Sequence, residues 1–264
     1  MYQANGTYYT EEHSISFGEI MTDSSIGNTV FGVLANTWED WHLIPSSRPA
    51  IVHPSIVTKY IDIPGSDGQL DLSEYLTGKV NYGTRNGSLS FAVDNYHEDW
   101  ETIRQKMANF LHGKKIKMKL EDDQKYFYQG RFTVGNWESG SDHSSISISY
   151  VLDPYKYEIQ LTGSDHPVLW DPFNFETDYD YSVLYPNVTV NGNTKSFNIY
   201  SYDYGFIPTA TWVSGSVTVS FGGITETLSN SHRTADLGKS SYGMNILSIT
   251  GIGSVKINWR GGSL

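Results

Sequence analysis

Cysteine is absent from all 264 residues. Thiolate metal sites, thiol nucleophiles and disulfides are therefore excluded, and nothing asks for an oxidising compartment. No apolar run approaches the roughly 20 residues needed to span a bilayer. The first residues, MYQANGTYYTEEH, have neither the basic nor the apolar region of a secretory signal, so none is expected. A basic face is missing too. There are 18 Lys and Arg against 29 Asp and Glu, a net charge of −11. Up to position 157 the chain carries 20 acidic and 13 basic residues, a net of −7, and beyond it 9 and 5, a net of −4. Stable nucleic-acid binding needs a basic surface, and an acidic one favours solubility and repels phosphate.

What remains is rich in strand formers. There are 19 Tyr, 7 Trp and 11 Phe, Thr, Val and Ile are plentiful and Ala is scarce, a balance that favours strands. The mean hydropathy of −0.39 belongs to a globular chain.

Short strands are expected at Thr7–Thr10, His13–Phe17 and Thr29–Ala35, and a proline-rich loop at 41–54. Ser55–Ile63 alternates as a strand and ends at Pro64-Gly65. The turn-rich stretch 65–78 follows. Leu89–Val93 comes after Asn86-Gly87, read as a tight-turn pair, so a long hairpin is expected here. A single helix is expected at about 98–112. Trp100, Ile103, Met107, Phe110 and Leu111 recur at helical spacing, with Asp99 and Glu101 near the start and Gly113 just past the end. Strands at Lys115–Leu120, Tyr126–Val134 and Ser144–Leu152 complete a first domain, 1–157. The remainder, 158–264, opens with an irregular connector to residue 180. It then carries seven short strand signals, ending with Met244–Ile249 and Ser254–Trp259, as a β-sandwich would.

Candidate chemistry is sparse. The loop at 63–74 places Asp67, Gly68 and Glu74 as an EF-hand would, but Ile63 and Gly65 stand where side-chain oxygens are required. It reads as a glycine turn and a short helical turn capped by Asp71 or Ser73. The eight His residues form no HxH or HExxH spacing, and there is no nucleophile elbow or phosphate loop. The adjacent acids Glu121, Asp122 and Asp123 read as a solvated turn between strands, not as a glycosidase pair. Trp170, Trp212, Tyr202 and Tyr204 could stack on a sugar, although aromatics in a β-rich chain more often build cores or interfaces. No catalytic residue, metal or cofactor is expected.

Three stretches carry a resemblance: IDIPGSDGQLDLSEYLTG (61–78), with Tyr82, Arg85 and LSFAV after it; WETIRQKMANFLHGKKIKMKLEDDQKYFYQGRF (100–132); and NILSITGIGSVKINWRGGSL (245–264). Their order resembles the distal tail (Dit) proteins of long-tailed bacteriophages, and HSISFG (13–18) looks like that family's first strand. The resemblance implies a mainly β chain. Its N-terminal sandwich- or barrel-like domain would carry one helix, and its C-terminal domain would be a galectin-like β-sandwich. It implies a non-enzymatic ring, of six subunits joined head to tail, at the virion tail tip, assembled in the host cytoplasm. One face would meet the tail tube protein and the other the tail-associated lysin or the baseplate and receptor-binding proteins. DNA would pass through the lumen without membrane insertion. On this reading Gly65, Asp67, Gly68, Gly78 and Arg85 shape the ring interface. Asp94, Glu98, Glu121, Asp122 and Asp123 contribute an acidic lumen, and Trp170 and Trp212 are sugar or protein contacts. A lectin-like host-recognition protein is the alternative.

Overall fold

The computed structural model describes residues 2–4, 7–9, 13–22, 29–65, 67–75, 77–93, 100–139, 144–163, 187–201 and 204–264. The protein is mainly β and divides into two compact units, built chiefly from Met1–Met21 with Phe31–Lys156 and from Tyr157–Ser263.

In the first unit β1 (Tyr2–Ala4) pairs with β2 (Thr7–Tyr9). Then come β3 (Ile15–Thr22), β4 (Thr29–Asn36), β5 (Leu43–Pro45), β6 (Ile56–Val57), β7 (Tyr60–Asp62), β8 (Gln69–Asp71), β9 (Asn81–Tyr82) and β10 (Arg85–Val93). They are followed by α1 (Trp100–Leu111), β11 (Lys115–Leu120), β12 (Tyr126–Ser139) and β13 (Ser144–Leu152). One curled sheet runs in the order β4-β3-β11-β12-β13-β10-β5. Strict alternation sets its inner face: Ile146, Ile148, Tyr150 and Leu152 of β13 are buried, and so are Leu89, Phe91 and Val93 opposite.

The helix is the one expected. Ile103, Met107 and Leu111 fall on one stripe and join Phe17, Phe91, Met118 and Phe132 in a single core. Arg104 and Gln105 hydrogen-bond the first-turn Glu101, and with that help its carboxyl falls to about 2. At the other end Gly113 takes a φ of 74°. Lys114 and Arg131 donate to the carbonyls of Asn109 and Gly113.

Three local expectations change. Asn86-Gly87 is not a turn but lies inside β10, paired with Val151 and Tyr150. A Cβ on Gly87 would stand 2.4 Å from the Tyr150 hydroxyl, so this glycine makes room for a ring. The stretch from Ser55 to Ile63 is two short strands, β6 and β7. The 41–54 loop contains β5, an edge strand that seats Leu43 in the core.

The second unit contains β14 (Lys156–Glu158), β15 (Thr162–Gly163), β16 (Val188–Asn191), β17 (Lys195–Ser201), β18 (Thr209–Phe221), β19 (Ile224–Leu228), β20 (Thr234–Asp236), β21 (Gly243–Trp259) and β22 (Gly262–Ser263). Two expected pairs of short strands are in fact two long ones, β18 and β21, paired along most of their length. Both bend at one corner. β18 bulges between Trp212 and Ser214, and Gly215, Gly251 and Gly253 have φ of 73°, 113° and 154°. The first part of β21 pairs with β17 and the last part with β16 and β15. The bend thus folds one sheet into a sandwich over Val190, Ile199, Val219, Leu247, Ile249 and Ile257, with Phe206 stacked on Trp259 at 5.1 Å.

The corner tests the role of its glycines. A Cβ on Gly215 would lie 2.1 Å from the Ile252 carbonyl oxygen, whereas one on Gly192 meets nothing at a similar φ of 84°. Gly192→Ala should cost about 1 kcal/mol, the strain of the left-handed conformation alone. Gly215→Ala should cost about 1–3 kcal/mol more, because backbone must move as well. Urea denaturation of the two variants measures the difference.

Candidate functional site

Residues 55–83 leave the first unit as an arm. At its base Ile56 pairs with Tyr82 and Val57 with Asn81. Farther out Tyr60, Ile61 and Asp62 pair with Asp71, Leu70 and Gln69. The tip turns through Gly65 and Gly68, with φ of 82° and 85°, and the return strand is interrupted by a turn ending near Gly78, φ 66°. Nothing lies within 4 Å of the Cβ position at any of the three. Glycine is needed there for backbone conformation, not for space. Asp71 accepts hydrogen bonds from the Ser73 amide and hydroxyl, and that hydroxyl takes one from the Lys59 amide. The expected Asp71 cap is therefore present, and it ties the turn back to the outgoing strand. Asp67 is exposed at the tip.

The arm buries little of itself. Ile56, Val57, Tyr60, Ile61, Ile63, Leu70 and Tyr75 are all exposed, Ile56 at 63% and Tyr75 at 79%. A two-stranded ribbon is marginally stable alone in water, and so many large apolar side chains on one short projection make the kind of exposed apolar patch that interaction sites carry.

Arg85 holds the arm at its root. It lies on β10 just after the arm returns, and only 2% of it is exposed. Its Nε donates to the Pro154 carbonyl at 2.8 Å and its Nη1 to the Val52 carbonyl at 2.9 Å. The guanidinium lies 5.7 Å from the centre of the Tyr128 ring. Burial pushes the Arg85 pKa below its ordinary value, and burial pushes the Tyr128 hydroxyl up to about 12. The Val52 amide donates to the Tyr150 hydroxyl, and the Gly83 amide to the Ser55 carbonyl at 2.7 Å. The outgoing and returning ends of the arm are thus fastened to each other and to the sheet. Arg85 acts from inside the unit, whereas the three glycines and Asp67 lie on the exposed arm.

Glu121, Asp122 and Asp123 form the β11–β12 turn. Asp122 lies 2.8 Å from Arg48 and 3.2 Å from His13. Burial pushes its carboxyl up, but these two partners outweigh burial and leave it below its ordinary value. Asp123 pairs with Lys156 at 2.8 Å. Two of the three charges are therefore matched locally, and Glu121 stays exposed. Asp94, Glu98, Trp170 and Tyr202 lie outside the described residues. Trp212 is half-buried. Its indole N–H donates to the Gly215 carbonyl, and Arg233 lies 5.2 Å from its ring centre. Tyr204 meets Tyr157 edge-on. Among the described residues no group of His, Asp and Glu could hold a metal ion.

No protein-family model matches this chain, and no curated protein matches it by sequence. Among solved structures it is similar to SPP1 Dit (gp 19.1), described as a paradigm of the hub adsorption apparatus in phages that infect Gram-positive bacteria. The two share 12% identity and a TM-score of 0.54 over 96% of this chain and 99% of that one. The chain therefore has a Dit-like fold over most of its length, as the three sequence stretches imply.

The Arg85 clamp predicts a specific loss. Arg85→Met keeps the volume but leaves the Val52 and Pro154 carbonyls without donors, and should cost about 2–4 kcal/mol in urea denaturation. Arg85→Lys should recover little, because a compact, strongly hydrated ammonium does not reproduce the planar fork. In both variants amide exchange should rise in residues 52–57 and 81–85.

Proposed function

We propose that this protein is a distal tail subunit of a long-tailed bacteriophage. It forms a head-to-tail ring between the tail tube and the tip or baseplate, with DNA passing through the centre. The observation that carries this reading is the fold match to SPP1 Dit over nearly the full length of both chains. The clamped apolar arm supports it. A ring closes only when the two unlike faces of each subunit are held at a fixed rotation, and an arm fixed at its root suits such a face. Gly65, Asp67, Gly68 and Gly78 then shape an interface between subunits, while Arg85 sets the angle at which the arm leaves.

The first unit forms the ring, of six subunits, and the second is a galectin-like sandwich directed at the lysin, baseplate or receptor-binding proteins. The ring belongs to the virion tail tip and assembles in the host cytoplasm. Net negative charge, to which Glu121, Asp94 and Glu98 contribute, lets phosphates pass the lumen without adhering. No helix among the described residues is long and apolar enough to cross a membrane, and the role requires no insertion. Nor does it require catalysis or a cofactor.

One observation favours a second reading, a lectin-like recognition protein. The second unit carries hydroxyl pairs across neighbouring strands: Thr218 with Thr227, Ser220 with Thr225, Thr189 with Ser254. An uncharged hydroxyl surface suits a sugar. A sugar-array screen with Trp170→Ala and Trp212→Ala controls separates the two.

Negative-stain microscopy of the purified protein tests the ring. Six-fold rings are expected, and a monomer at every concentration would refute the reading. Gly68→Val forces a β-branched residue to a φ near 85°, at roughly 1–2 kcal/mol. It should prevent rings, seen as a fall to monomer mass in light scattering, while leaving the melting of the first unit unchanged. Normal rings from this variant would rule out the arm tip as interface.

A further inference from the structure

The site that receives the arm follows from charge. In a chain of net −11, four basic residues gather where α1 ends and β11 meets β12. His112, Lys114, Lys115 and Arg131 are all exposed. His112 forms a β-bridge to Phe132, Arg131 donates to the carbonyl of Gly113, and Lys115 stands directly opposite Arg131 across the strand pair. A helix C-terminus favours nearby cations, which accounts for Lys114. It does not account for the cross-strand pair, because like charges directly opposed destabilise a sheet. Lys115 pairs with Asp153 at 3.9 Å. Among the described residues His112, Lys114 and Arg131 form no ion pair. The next residue across the sheet from Arg131 is Val151, half exposed. The surface thus offers three cations and an imidazole beside an apolar spot.

The arm has the opposite balance, four acidic residues against Lys59 and Lys79. Asp62, Asp71 and Glu74 are exposed and form no ion pair among the described residues. Asp67 is exposed at the tip. Exposed Ile61, Ile63, Leu70 and Tyr75 lie among them.

The geometry points to the arm of a second copy of this chain as the occupant of the His112–Lys114–Lys115–Arg131 surface, the arm carboxylates meeting the cations and an arm side chain covering Val151. This rests on the ring reading and deepens it by naming the two unlike faces of the head-to-tail contact. A nucleic acid is the weaker match, since the negative field of the whole chain opposes a long polyanion, whereas a short acidic hairpin with apolar side chains answers both parts of the surface.

A charge swap tests it. Lys114→Glu with Arg131→Glu, and separately Asp62→Lys with Glu74→Lys, should each weaken self-association about tenfold or more near 0.15 M salt. Light scattering and sedimentation read the change, and circular dichroism with thermal melting checks that each variant is folded. Mixing the two variants should restore assembly, because each arm then finds a neighbour of opposite sign. The four substitutions in one chain should restore it as well. If the wild type forms rings and the Lys114→Glu, Arg131→Glu variant forms them equally well, the inference fails and the ring reading stands. Folded variants that neither mix nor combine into rings overturn it too. A wild type that binds a short DNA duplex through Lys114 and Arg131, with assembly of the variant intact, overturns it in favour of a nucleic-acid contact. A wild type that never assembles overturns both.

Discussion

A cation buried without a carboxylate governs the first unit. Arg85 is almost wholly removed from water, and its guanidinium donates to two carbonyls, those of Val52 and Pro154, with Tyr128 alongside. Burying a guanidinium is costly, and an apolar residue would pack there without that cost. What an apolar residue cannot do is fasten three separate pieces of chain at once. Val52 leads into the arm, Arg85 itself leads out of it, and Pro154 follows the last long strand of the sheet. The donor fork has the planar geometry to reach carbonyls lying in different directions. Its retention is intelligible as specificity of shape, a use for which buried polar groups are better suited than for net stability.

That shape concerns a part of the molecule that contributes little to its own folding. The arm carries seven large exposed apolar residues, and its two short strand pairs share little apolar surface. Its ordering must come from the clamp at the root, from the Asp71–Ser73–Lys59 hydrogen bonds along it, and from glycines that adopt turns other residues resist. Each device limits where the arm can point, and none hides its apolar side chains. A projection made rigid and left apolar is organised for contact with something else, and the cost of ordering it is met before that contact forms.

The sequence is informative where periodicity and packing agree. The α1 stripe and the alternation of SSISISYVL identify a helix and a half-buried strand, because each pattern has one periodicity and one buried face. The resemblance carried by residues 55–155 is matched by a fold shared over 96% of the chain. Elsewhere local signals mislead for identifiable reasons. Asn86-Gly87 has the composition of a tight turn, but its glycine accommodates the ring of Tyr150, 63 residues away in the chain. Gly215, Gly251 and Gly253 fall in the gaps between the expected short strands, yet they are the bends of strands that continue through them. The charge at Asp122 reads as solvated, but it is matched by Arg48 and His13, far off in sequence. In each case the deciding partner is non-local. The density of Ile, Val and Tyr between 56 and 63 was the readable sign of the exposed arm, since a solvated loop would not need it.

The two units answer the same constraint in different ways. Each must turn a sheet through a large angle without exposing backbone. In the second unit the turn is made within strands: three glycines let two crossing backbones approach to distances no Cβ would allow, and the ladder continues around the bend. In the first unit the sheet runs unbroken through seven strands, and an arm inserted in the chain between β5 and β10 is fastened at its root by a buried arginine. A bend within strands keeps the ladder paired on both sides of the corner and encloses a core of its own. An arm fastened at its root leaves apolar surface unburied. Both units expose apolar residues, the second at Tyr242, Met244, Ile246 and Ile252 among others, but those of the first are gathered on an arm fastened at its root, and that combination suits the arm to a contact between copies of this chain.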